Sequence, residues 1–132
     1  MDDEYQISDE YKALAKVVIN ERDDLSWLKN ANVRIDYVTS SKEKKSGERF
    51  VHAECKKINE FQQVYCPYDF VIVIYLPNVA HMTLEQKKIL LWHEFLHIDY
   101  RETDLGIVYC CRHHDIEDFK KIVAEYGMDW AE

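Results

Sequence analysis

"ILLWHEFLHIDY", residues 89–100, breaks an apolar run with two histidines four apart and a glutamate directly after the first. Four residues of α-helix turn through about 400°, so His93 and His97 project from one face about one turn apart. Upstream, Thr83 and Gln86 have the spacing of a capping box, which predicts a helix opening there and running to about Asp99. Leu84, Ile89, Leu90, Leu91, Trp92, Phe95, Leu96 and Ile98 go nearly all round that helix, which marks it as central and buried. Three polar side chains inside such a helix cost on the order of a few kcal/mol unless something satisfies them.

A metal ion would satisfy them. Two imidazoles so placed suit one Zn²⁺ at about 2.0–2.1 Å each. Glu94 sits about 100° round from His93, angled away from ligation but close enough to hold a water activated by the metal. It can take that water's proton as the water attacks a carbonyl. This is the HExxH pattern, and its competing reading is two core histidines with no metal.

A catalytic zinc needs a third protein ligand and an open position. Downstream, "RHHDIEDF" (112–119) offers His113, His114, Glu117 and Asp118. His114 directly precedes Asp115, the predicted N-cap of the last helix, so a helix end would fix its position. Acids at a helix start are equally explained by the helix dipole alone. Cys110 and Cys111 are rival thiolate ligands, but a closed His/Cys site would be structural and leave Glu94 without a role. Tyr109, Arg112 and His113 are the candidates for an oxyanion stabiliser. His52 and His81 read as isolated surface or strand histidines.

Working outward, Ser8 is placed to cap a helix running to about Glu21, with Tyr11, Leu14, Val17 and Val18 on one face. "NVRIDYVTS" (32–40) alternates as a half-buried strand. After the polar turn 40–49, "RFVHAEC" (49–55) is expected to return beside it as a hairpin. "YDFVIVIYL" (68–76) is apolar on both faces, which predicts a well-covered strand, stopped by Pro77 and Asn78. "GIVYC" (106–110) reads as a short extended piece after a loop. The last helix is expected to open at Asp115, bury Ile116, Phe119, Ile122, Val123 and Tyr126, and stop at Gly127. The pattern predicts an α+β domain.

At 132 residues, one domain spanning 1–132 is expected, and 47% hydrophobic content suits a folded core rather than a disordered chain. Net charge is −8, from 17 Lys and Arg against 25 Asp and Glu, which argues against direct nucleic-acid binding. The start "MDDEYQISDEY" does not read as a secretory leader, and "FVIVIYL" (70–76) is too short to span a bilayer. A cytoplasmic protein without a membrane partner is expected. The four cysteines are then expected as free thiols.

"YDFVIVIYLPNVAHMTLEQKKILLWHEFLHID" followed by "HDIEDFKKIVAEYGMDW" resembles the putative phage metallopeptidase family, and the resemblance extends upstream through "NVRIDYVTSSKEKKSG". It implies a compact zincin-like domain. A small, mostly antiparallel sheet of about three to four strands would pack on the central HExxH helix, with helices at both ends of the chain. It implies His93 and His97 as metal ligands, Glu94 as general base and His114 as third ligand. The expected cofactor is Zn²⁺ and the expected partner a protein or peptide substrate. By the same resemblance, extended peptide would pair along strand 69–76. The rival reading is a catalytically inactive, zinc-stabilised protein-binding module.

Overall fold

The computed structural model of the chain describes residues 4–112, 119–127 and 130–131. In chain order the elements are β1 (Tyr5–Ile7), α1 (Asp9–Glu21), a 3-10 turn (Asp23–Leu25), α2 (Ser26–Asn30), β2 (Ile35–Ser40), β3 (Lys45–Ser46), β4 (Arg49–Phe50), β5 (Ala53–Lys57), α3 (Glu60–Gln63), β6 (Phe70–Tyr75), α4 (Leu76–Val79), α5 (Leu84–Leu96), β7 (Ile98–Thr103), β8 (Gly106–Cys111) and α6 (Lys120–Tyr126). The fold is α+β, built on a mixed four-stranded sheet in the order β1-β2-β6-β5. Two of its three pairings are antiparallel, and β2 with β6 is parallel. Among the described residues no helix is long and apolar enough to cross a membrane.

β6 owes its central place to its composition. Phe70, Ile72 and Ile74 on one face and Val73 and Tyr75 on the other are all buried, and a strand apolar on both faces needs cover on both. Its neighbours are therefore β2 and β5, which corrects two expectations. The strands at 35–40 and 53–57 do not pair as a hairpin, because β6 lies between them. The polar segment that joins them forms its own two-residue ladder, β3 with β4, turned at Gly47 with φ +65°. Strand 69–76 also has no free edge on which to pair a peptide. The outer strand next to β6 is β5.

Asp69 pins the parallel pair at its start. Its carboxylate accepts the Arg34 backbone N–H at 2.9 Å, the Arg34 guanidinium at 3.2 Å and the Gln63 amide at 3.0 Å. Burial alone would raise this carboxyl's pKa, but those donors outweigh it and hold the pKa below the usual carboxylate range.

α5 opens with the predicted capping box, Thr83 with Gln86. Ile89, Leu90, Leu91, Trp92, Phe95 and Leu96 are buried, whereas Leu84 in the first turn is exposed. Phe95 meets Tyr37 of β2 edge-to-face, ring centroids 6.4 Å apart. α1, capped by Ser8, contributes Tyr11, Ala15 and Val18 to the same core. Arg22, just past α1, lies 3.5 Å over the Trp92 ring and bonds Glu125 and Tyr126 of α6, each at 3.2 Å. It fastens α6 to the central helix.

α5 ends sooner than its apolar pattern predicts. His97 is the C-cap, and Ile98–Thr103 leave as a strand paired with β8 in register from Ile98↔Cys111 to Thr103↔Gly106. No glycine or proline marks this exit. The competing partner is the strand "GIVYCC", whose backbone groups need a ladder of their own. The predicted N-cap Asp115 lies outside the described residues, and α6 stops before Gly127, which takes a positive φ of 79°.

Candidate metal centre

His93 and Glu94 come from the last turn of α5, and His97 closes it. Each offers a donor atom, and these atoms lie within 4.8 Å of one another. The imidazole rings stand 5.2 Å apart at 69°. Glu94 is 3% exposed, its carboxylate 4.0 Å from His93 Nε2. A buried acid beside two half-buried imidazoles is a donor set of the kind a divalent cation takes.

His97 is oriented from behind. Its Nδ1 meets the backbone carbonyl of Arg112 at 2.8 Å, which fixes the tautomer and leaves Nε2 for a metal. Arg112 itself is held by its Nε, which donates to the Leu96 carbonyl at the end of α5 at 2.6 Å. Its guanidinium lies 4.6 Å over the Phe119 ring. Phe119 is fully buried and packs against both imidazoles, centroids 5.3 Å from His93 and 5.1 Å from His97. Arg112 thus braces the helix end and the segment that meets His97.

The histidines and Glu94 line one side of a cleft of about 530 Å³, faced by Lys44, Ala53, Glu54, Cys55 and Lys56. β5 presents Ala53 and Cys55 to α5 because they pair with Ile74 and Ile72, on the sheet face that carries the core. Lys44 pairs with Glu54, which also accepts the Tyr75 hydroxyl at 2.9 Å. Burial pushes the Glu54 carboxyl pKa up, but its bonds from Lys44 and Tyr75 win and lower it. Buried Asn78 donates to the carbonyls of Lys44 at 2.8 Å and Val51 at 2.7 Å, clamping the foot of the β3–β4 turn at the cleft's rim.

Of the sequence candidates, the structure brings His93, Glu94 and His97 together. His113, His114, Glu117 and Asp118 lie outside the described residues. Cys110 and Cys111 are not part of the donor cluster among the described residues. Tyr109 packs on Phe70, centroids 6.0 Å apart, instead of facing the cleft. His52 and His81 are not isolated: their rings lie 6.2 Å apart, and His81 meets the Ala131 carbonyl at 2.9 Å. Burial first, then His81 and His93, lower the pKa of His52. The wall residues Glu54 and Cys55 carry no local signature in the sequence. Only the strand order, which puts β5 on the outside, reveals them.

With that geometry in hand, the sequence matches over residues 3–132 the family described as "Putative phage metallopeptidase". The chain belongs to this family. No curated protein and no solved structure matches it. Membership in a metallopeptidase family implies a metal ion and a protein or peptide substrate, and the His93–Glu94–His97 cluster is the described group that fits the metal.

Proposed function

We propose that the chain is a zinc-dependent peptidase of HExxH type, formed by a single domain over residues 1–132. His93, His97 and His114 hold Zn²⁺, and Glu94 is the general base. The observation that carries the reading is the meeting of three donor atoms at the wall of an open cleft, on the last turn of a rigid, buried helix. His114 is supported by what flanks it. The Arg112 carbonyl meets His97, and Phe119 packs on both imidazoles. The chain therefore leaves and rejoins the histidines within a few residues of His114.

Bound zinc supplies a Lewis acid that polarises the scissile carbonyl and acidifies water. The chain's own groups do the rest. Glu94 accepts the proton of the attacking water and passes it to the leaving amine. The carbonyl of Arg112 holds the His97 ring in place through Nδ1. β5, the outer strand beside the cleft, offers backbone groups to an extended peptide, while Lys44, Glu54 and Lys56 meet its side chains. All four cysteines are thiols, which suits the reducing cytoplasm.

The deciding experiment pairs zinc content with cleavage of a proteome-derived peptide library, read by mass spectrometry. Glu94→Gln should keep its zinc and lose about 10²–10⁴-fold in cleavage rate. Wild-type rates from that variant would overturn the role of Glu94. Full zinc in His93→Ala would overturn the site.

A further inference from the structure

Two thiols that take no part in the donor cluster meet beside it. Cys55 lines the cleft from β5, opposite His93, Glu94 and His97. Cys111 is the last residue of β8 and is exposed. Cys111 Sγ lies 3.7 Å from the carbonyl oxygen of Cys55, where β8 packs against β5. They come from different sheets, 56 residues apart in the chain. Cys110 is no substitute, since successive residues of a strand point to opposite faces.

We propose that Cys55 and Cys111 are an oxidation site, closed to a disulfide by hydrogen peroxide. The inference does not depend on the peptidase reading. Cys111 is the thiol a solute reaches. Its thiolate attacks one peroxide oxygen, the O–O bond breaks, and a sulfenic acid forms while the other oxygen leaves as hydroxide and is protonated to water. The Cys55 sulfur gives its proton to solvent and attacks the oxidised sulfur of Cys111. The S–O bond breaks, the S–S bond forms, and the oxygen departs as a second water. Two thiols lose two electrons in all, and the peroxide gains them.

The bond joins one wall of the cleft to the neighbouring hairpin. On one side is β5, the outer strand of the main sheet. On the other is β8, which runs directly into Arg112, whose carbonyl holds His97. Oxidation therefore ties the edge of β5 covalently to the segment that orients a metal-site histidine.

The test treats the metal-loaded full chain with hydrogen peroxide, then combines thiol titration with peptide mapping under non-reducing conditions. Two of the four thiols should vanish per chain, with one cross-linked peptide pair carrying Cys55 and Cys111, and dithiothreitol should restore both. Cys110→Ser should keep the cross-link, and Cys55→Ser and Cys111→Ser should abolish it. Should either variant misfold, the wild-type map alone decides. A bridge to Cys66 or Cys110, a bridge between two chains, or thiol loss without a Cys55–Cys111 link would overturn the proposal.

Discussion

Residues 70–96 and residues 98–111 meet at His97 and are opposites in burial. In the first stretch β6 and the second half of α5 bury nearly all their side chains; Phe70, Ile72, Ile74, Leu91 and Phe95 have essentially no exposure. In the second, the β7–β8 hairpin leaves Leu105 wholly exposed and Ile107 63% exposed. Both serve the same histidine. The buried helix sets where the His97 ring sits, and the segment leaving the exposed hairpin supplies the carbonyl that sets which nitrogen faces out. The difference shows how the site divides its work. Position comes from packing, which tolerates little change, and orientation comes from one hydrogen bond at the end of a peripheral element.

The largest expected effect tests the packed side. Phe95→Ala removes a ring with no exposure that meets Tyr37 across the helix–sheet interface. It should lower unfolding free energy by about 3–5 kcal/mol, read as a fall in urea midpoint with little change in slope. A loss below about 1 kcal/mol would mean that this part of the core collapses readily around a cavity, and the contrast with the hairpin would fail.

The same contrast explains what could be read in advance. α5, its capping box and the covered strand at 70–75 were legible because burial leaves a periodic apolar signal and caps leave fixed spacings. So was the α+β class. The partner of each strand was not, since pairing is a long-range choice. The alternation at 35–40 and 53–57 is as compatible with a hairpin as with flanking a common neighbour, and only the doubly apolar β6 decides between them. The end of α5 was hidden for a different reason. Ile98 is as apolar as the helix before it, and the strand it starts is stabilised by β8, whose side chains are mostly exposed and carry no core pattern. Within the site, HExxH was visible because all its residues lie within one turn of a single helix. The carbonyl of Arg112, the Asn78 clamp and the Cys55 wall act through contacts that no local spacing encodes.

A middling effect is expected where the two regions join. Arg112→Ala leaves the carbonyl that meets His97 but removes the bond to the Leu96 carbonyl and the cover over Phe119. The supporting contact then loosens while the donor atoms stay. Metal affinity should fall about tenfold, measured by competition with a chromogenic chelator, with the far-ultraviolet spectrum unchanged. Arg112→Lys should recover only part of it, because an ammonium cannot both donate along the guanidinium plane and lie flat on the Phe119 ring. Unchanged affinity in the alanine variant would assign the orienting role wholly to packing around Phe119.

The smallest effect belongs to the hairpin tip. Leu105 sits in the two-residue connection between Thr103 and Gly106, and its side chain is as exposed as in an extended chain. The turn is held by other atoms. The Thr103 hydroxyl donates to the Gly106 carbonyl at 2.8 Å and accepts the Leu105 N–H at 3.3 Å, and Gly106 takes a φ of 120° that a side chain would disfavour. Leu105→Ser keeps every one of those features and removes only exposed apolar surface. Stability should therefore change by less than about 0.5 kcal/mol, and metal affinity should not change. A measured loss above about 1 kcal/mol would mean that the tip is covered in solution and that the hairpin is not the peripheral partner of the buried helix.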